Sequence, residues 1–170
     1  MKTGLTQKEK TLLQDQQGHE KICIQKYNKY ASQAQDPQLQ QLFSSNAQHE
    51  QQHYDTLSQM LSGQVPNITQ QSTTQGAQSA QSTQNQQNQL SSSTQTQSAM
   101  QSEMGSQSDA ELCTDMLMTE KFVSGAYDTA VFEFTDTAMR QALNHIQKEE
   151  QEHGEALFQY MQNKGMYNVQ

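Results

Sequence analysis

Glu20, Glu50 and His53 return 100 positions later as Glu120, Glu150 and His153. A single Glu-x-x-His pair says little, since most such pairs lie on solvated helix faces. Two copies in one register, each with a further glutamate 30 residues upstream, restrict the chain sharply. Four carboxylates and two imidazoles in this duplicated array are the ligand set of a dinuclear metal site, built from the facing helices of a four-helix bundle. The expected fold is therefore all-α: two duplicated helical hairpins that together form one bundle.

Helix signals divide the chain in the same way. Thr6 with Glu9 makes a capping box that opens a first helix running to about Ala34. Asp36-Pro37 then supplies an N-cap and a proline at the first helical position, so a second helix starts there and runs to about Leu61, with Gly63 as a stop. Ser108 with Glu111 makes the second capping box, Thr135-Asp136 stands where Gln35-Asp36 stood, and the last helix runs to about Asn163 before Gly165. Between the hairpins, residues 63–107 are Gln, Ser, Thr and Asn with almost no large apolar side chain. Such a segment buries too little surface to offset its ordering entropy and reads as a low-complexity linker. The expected organisation is a first hairpin over 1–62, the linker over 63–107 and a second hairpin over 108–170. Neither hairpin covers its own apolar stripe; two paired hairpins do.

The spacing brings the six residues to one level. Glu20 precedes residue 36 by 16 positions, about 24 Å along a helix at 1.5 Å per residue. The same distance down the next helix ends between Glu50 and His53, and the second hairpin repeats this around residue 136. The residues also face one way. Leu39, Leu42, Asn46, Glu50, His53, Leu57 and Met60 recur at three- and four-residue steps, as do Met139, Ala142, Ile146, Glu150, His153, Leu157 and Tyr160. Glu20 shares a stripe with Tyr27, Ala31 and Ala34; Glu120 shares one with Tyr127, Val131 and Phe134. Bare carboxylates in such a seam would repel one another and be costly to desolvate; cations remove both problems, and buried protonated Glu–His pairs are the alternative. Mixed carboxylate and imidazole ligands suit iron or manganese, with zinc also open, and the spacing does not separate them. In such sites Glu50 and Glu150 would bridge two metals, with Glu20 and His53 on one and Glu120 and His153 on the other.

Composition removes several function classes. The formal charge of −8 argues against a nucleic-acid partner. No apolar run approaches the roughly 20 residues of a membrane span. Residues 1–10 are polar and lack the apolar stretch of a signal peptide, so synthesis in the cytoplasm is expected. Cys23 and Cys113 stand apart without a Cys-x-x-Cys pair; they read as free thiols, with a disulfide between them as the alternative. Tyr27 and Tyr127 read as core residues, with a hydrogen bond to the ligands or a redox-active phenol as the alternative. His19, His49 and His145 read as surface residues, and the methionines at 116, 118, 139 and 161 as core. Gly154, directly after His153, either opens access to the metals or allows close helix packing.

The six-residue set resembles the ferritin-like superfamily, which includes ferritins, rubrerythrins and manganese catalases. The second half is more specific. Asp115, Glu120-Lys121, Tyr127, Arg140, Glu149-Glu150-Gln151 and the ending Gly165-Met166-Tyr167-Asn168-Val169 look like the spore coat protein F family of endospore-forming bacteria. That resemblance covers about 108–170 well and 6–61 more loosely through the repeat. It implies a spore-coat location, other coat proteins as partners, and a ferritin-like bundle. A homodimer is also open. In related ferritin-like bundles the residue before the bridging Glu often gives its carboxylate to the His of the opposite hairpin. Glu149 would do so for His53, leaving His49 opposite His153; the plain alternative is that Glu149 lies on the solvated face. Two functions follow as expectations: a di-iron or di-manganese protein that reacts with O₂ or peroxide, or a structural coat component whose metal site only staples the bundle. Iron storage is disfavoured, because nothing indicates a cage-forming surface.

Overall fold

Four helices carry the fold: α1 (Gln7–Gln33), α2 (Pro37–Leu61), α3 (Asp109–Glu133) and α4 (Thr137–Asn163). A computed structural model describes residues 4–66 and 108–167; the expected linker lies, apart from its first few residues, outside them. Each helix starts where its sequence provides a cap. Thr6 and Ser108 accept the backbone N–H groups of Glu9 and Glu111, whose side chains return the bond to the cap backbone. Asp36 and Asp136 cap α2 and α4, and Pro37 occupies the first position of α2. The second helix of each hairpin ends on a left-handed glycine. Gly63 (φ 77°) and Gly165 (φ 69°) donate to Met60 and Gln162, while Gln64 and Met166 reach back to Gln59 and Met161. These paired bonds are Schellman caps, which a residue with a Cβ adopts only under strain.

The helices form two antiparallel hairpins, α1 with α2 and α3 with α4, which pack through α1 against α3 and α2 against α4. Both hairpins belong to one compact unit. Contacts such as Lys8–Glu133 and Tyr30–Asp115 run α1 antiparallel to α3, so α2 and α3 run parallel. The end of α2 and the start of α3 therefore lie at opposite ends of the bundle, separated by the length of a 25-residue helix, about 37 Å. Each hairpin turn is clasped by the other hairpin. Glu9 Oε1 accepts from the backbone N–H and hydroxyl of Thr135, and Asp109 accepts from the backbone N–H groups of Gln35 and Asp36. Residues 9 and 109 are repeat equivalents, so the two clasps are related by the duplication.

The core is the seam between the hairpins. Leu13, Tyr27, Leu39, Phe43, Leu57, Met116, Tyr127, Met139, Leu143 and Ile146 are fully buried in it. Small corrections to the expected stripes have a common cause: a helical face is wider than one line of three- and four-residue steps. Phe43 rather than Leu42 is fully buried on α2, and Tyr30 and Ala130 lie deeper than Ala31 and Val131. Met118 is 66% exposed, because the inward positions Met116, Leu117 and Glu120 leave residue 118 on the opposite side of α3.

Candidate metal centre

Midway along this seam the apolar packing is interrupted. Glu20, Glu50, His53, Glu120, Glu150 and His153 are all at least 96% buried, at one level of the bundle, one Glu from each helix and one His each from α2 and α4. Their atoms converge as two overlapping groups. Glu20, Glu50, His53 and Glu150 offer ligand atoms within 4.8 Å of one another, and so do Glu50, Glu120, Glu150 and His153. Glu50 and Glu150 are common to both. Glu50 turns Oε2 toward His53 Nδ1 (3.4 Å) and Oε1 toward His153 Nδ1 (3.1 Å). Glu150 does the converse, with Oε1 at 3.0 Å from His53 and Oε2 at 3.7 Å from His153. Each central carboxylate thus presents one oxygen to either side.

Close approach is not pairing here. His53 Nδ1 lies 3.0 Å from Glu150 Oε1, yet neither atom makes a hydrogen bond. Oε2 of Glu20, Glu50 and Glu120 and both oxygens of Glu150 are also buried without a partner. A buried unpaired acceptor ordinarily costs about 1–3 kcal/mol, more when charged. Several in one cluster, with ligand atoms within 4.8 Å of one another, fit a site that holds cations. The donor set itself, carboxylate oxygens with Nδ1 of two imidazoles, suits iron, manganese or zinc.

Charge inside the cluster follows from burial and proximity. Burial, reinforced by the charge of Glu150, raises the carboxyls of Glu20 and Glu120 well above the usual range. Burial also pushes Glu50 and Glu150 up, but the adjoining imidazoles of His153 and His53 outweigh it and hold both below. Desolvation opposes charge on the two histidines. The carboxylates win: His53 is raised well above its ordinary value, and His153 to about 9 by Glu150 and Glu50. Without cations the cluster therefore keeps protons that metals would displace.

The surrounding residues hold these groups in place. Tyr127 Oη donates to Glu20 Oε1, and Tyr27 Oη donates to Glu120 Oε1. Both bonds cross from one hairpin to the other, although each tyrosine shares a helix with the opposite glutamate. Asn46 Nδ2 in turn donates to Tyr27 Oη at 3.1 Å; its repeat equivalent is Ile146, which cannot do this for Tyr127. Nε2 of His53 lies 2.9 Å from Glu149 Oε2, and Nε2 of His153 lies 3.1 Å from His49 Nδ1. His49 is therefore no plain surface residue; its ring stacks on His153 at 5.3 Å, and burial first, then the neighbouring His153, lower its pKa. His145 is half-buried within 3.6 Å of Glu149. His19 packs edge-on against Phe122. Cys23 and Cys113 are buried free thiols.

Fold and site together define a class: an all-α bundle of two antiparallel hairpins around a buried carboxylate–imidazole cluster that could hold metal. Residues 108–170 match the family model described as the Coat F domain. The match begins at the N-cap of α3 and takes in Glu120, Glu150 and His153. No curated protein and no solved structure matches the chain. Among the described residues no helix is long and apolar enough to cross a membrane.

Proposed function

We propose that this chain is a spore-coat protein with a dinuclear iron or manganese centre of the ferritin-like kind that reacts with O₂ or peroxide. The observation that carries the metal reading is the convergence of orphaned, buried ligand atoms in two groups that share Glu50 and Glu150. Glu20 and His53 would hold one ion, Glu120 and His153 the other, and Glu50 and Glu150 would bridge them. Two divalent ions would offset the four carboxylate charges. When bound, a redox-active pair would supply electrons to O₂ or peroxide. The protein's share of that chemistry is to fix the ligands. Tyr127 and Tyr27 orient Glu20 and Glu120 by their hydroxyls, Glu149 and His49 fix the ring orientation of His53 and His153, and the apolar seam above and below keeps bulk water away. The coat location and coat-protein partners rest on the Coat F match over the second hairpin.

The second reading is a structural coat component whose metals only tie the two hairpins together. It is favoured by the placement of ligands on all four helices, which makes any bound ion a cross-link of the whole bundle. Protein prepared without a metal-affinity tag, stripped with chelator and reconstituted with Fe(II) or Mn(II), tests both. Two metals per chain with consumption of peroxide or O₂ supports the first reading. Two metals, a higher melting temperature and no turnover supports the second. Near-zero metal with an unchanged melting temperature rejects a metal site altogether.

A further inference from the structure

A groove of about 490 Å³ opens between α3 and α4 and reaches the cluster. Its lining includes Glu120 and Glu150, both buried and both carrying carboxylate oxygens without a hydrogen-bond partner. Leu117 of α3 and Phe158 of α4 supply its apolar walls, and Gly154 of α4 lies beside the carboxylates.

The duplication provides an internal comparison. The first hairpin has Gln17, Tyr54 and Ser58 where the second has Leu117, Gly154 and Phe158. There Gln17 donates to Ser58 Oγ at 2.7 Å, tying α1 to α2 within the hairpin, and the half-buried Tyr54 stands in the place of the glycine. The second hairpin has replaced the hydrogen-bonded pair by two apolar walls and removed the side chain between them.

Close packing does not explain the glycine. A Cβ at residue 154 would stand 3.8 Å from Glu120 Cβ and 3.8 Å from Leu117 Cδ1, ordinary van der Waals contact. Alanine would fit there and would favour the helix by about 1 kcal/mol. What glycine provides is space next to the two carboxylates. The lining also bears Lys121 and Glu155, whose opposite charges cancel, so beyond the cluster carboxylates themselves the groove offers no charge with which to select an ion. Its volume lies in the range of roughly 300–1,000 Å³ typical of small-molecule pockets, which are mainly apolar with a few polar groups.

We propose that this groove binds a neutral, mainly apolar small organic molecule beside Glu120 and Glu150, and that Gly154 keeps it open. The groove is formed by the chain itself; only the statement that its occupant lies beside a metal rests on the dinuclear reading above. Benzyl alcohol is a suitable probe. It is titrated into ¹⁵N-labelled protein, metal-free and Co(II)-loaded, with amide shifts and paramagnetic relaxation of the probe as readouts. The expected result is shifts centred on Leu117, Ser124 and Phe158, Co(II)-induced broadening of the probe, and binding about tenfold weaker, or 1.4 kcal/mol, in Gly154→Leu. Ser124→Leu, at the groove lining rather than among the ligands, serves if Gly154→Leu does not fold. Shifts centred elsewhere, or unaltered binding in a folded groove variant, would overturn the proposal. Failure to hold Co(II), with the probe still mapped to the groove of the metal-free protein, would instead reject the metal reading and leave the groove standing.

Discussion

His53 Nε2 lies 2.9 Å from Oε2 of Glu149, whereas the equivalent ring atom of His153 lies 3.1 Å from a histidine nitrogen, that of His49. The duplication is broken here at one residue, and the consequence is electrostatic. With Nδ1 turned to the cluster, Nε2–H of His53 donates to a carboxylate, which strengthens the imidazole as a ligand. Nε2–H of His153 donates to an imidazole whose pKa is lowered, a weaker and uncharged acceptor. Under the proposed dinuclear reading, two bound metals should therefore be held unequally. Glu149→Ala is expected to weaken one metal by about 10–100-fold and His49→Ala to do less. Competition titrations against a chromophoric chelator check this; identical isotherms for both variants and the parent would sink it.

The crossed tyrosines should be unequal too. Tyr27→Phe leaves Glu120 Oε1 and Asn46 Nδ2 without the partner each now has, while Tyr127→Phe strips only Glu20 Oε1. Each buried orphan costs roughly 1–3 kcal/mol. Urea unfolding of the metal-free proteins should rank Tyr27→Phe as the more destabilised. Equal midpoints would show that Asn46 finds another partner.

Metal-free protein should lose stability as pH rises from about 6.5 to 9. His53 and His153 have folded pKa values above their ordinary 6.5, His153 at about 9, and Glu20 and Glu120 are raised in the same sense. The native state binds more protons than the unfolded chain throughout that window, so the free energy of unfolding falls with pH. That contribution is fully present below the unfolded pKa and lost as the folded pKa is passed. Metal binding has the opposite dependence, because it displaces those protons. Melting temperatures in excess chelator at pH 6 and pH 9, repeated with Mn(II), provide the check. A chelated protein that melts higher at pH 9 contradicts the assignment.

The two turn clasps predict a graded loss of stability. Glu9 is buried, and its carboxylate serves both the Thr6 cap and the Thr135 turn. Glu9→Ala should cost about 1–3 kcal/mol. Asp109 is partly exposed, so water replaces much of what Asp109→Ala removes from Gln35 and Asp36. Denaturant midpoints that fall further for Asp109→Ala would refute this ranking.

Local chemistry and periodicity were legible from residue types alone. Capping boxes at Thr6 and Ser108, Asp36-Pro37, and glycines at 63 and 165 place the helix ends, because caps depend on side chains within a few residues. The repeat places Glu20, Glu50, His53, Glu120, Glu150 and His153 on inward faces at one height, because helical rise and turn length are constants. The linker residues 67–107 lie outside the described structure, and their composition remains the only ground for that reading.

Tertiary structure decided what depends on the angle and distance between hairpins. Tyr27 and Tyr127 shared helices with Glu20 and Glu120, yet their hydroxyls reach across to the opposite glutamate. Such a pairing is set by how α1 rotates against α3, which no spacing within one helix encodes. Met118 reads as core by type and lies outside because its neighbours Met116 and Leu117 took the inward face. The capping box announced Glu9, but only packing shows its second oxygen holding Thr135. Gly154 was ambiguous for the same reason. A missing side chain signifies packing or access according to what stands opposite it, and here that is ordinary contact distance and an open groove.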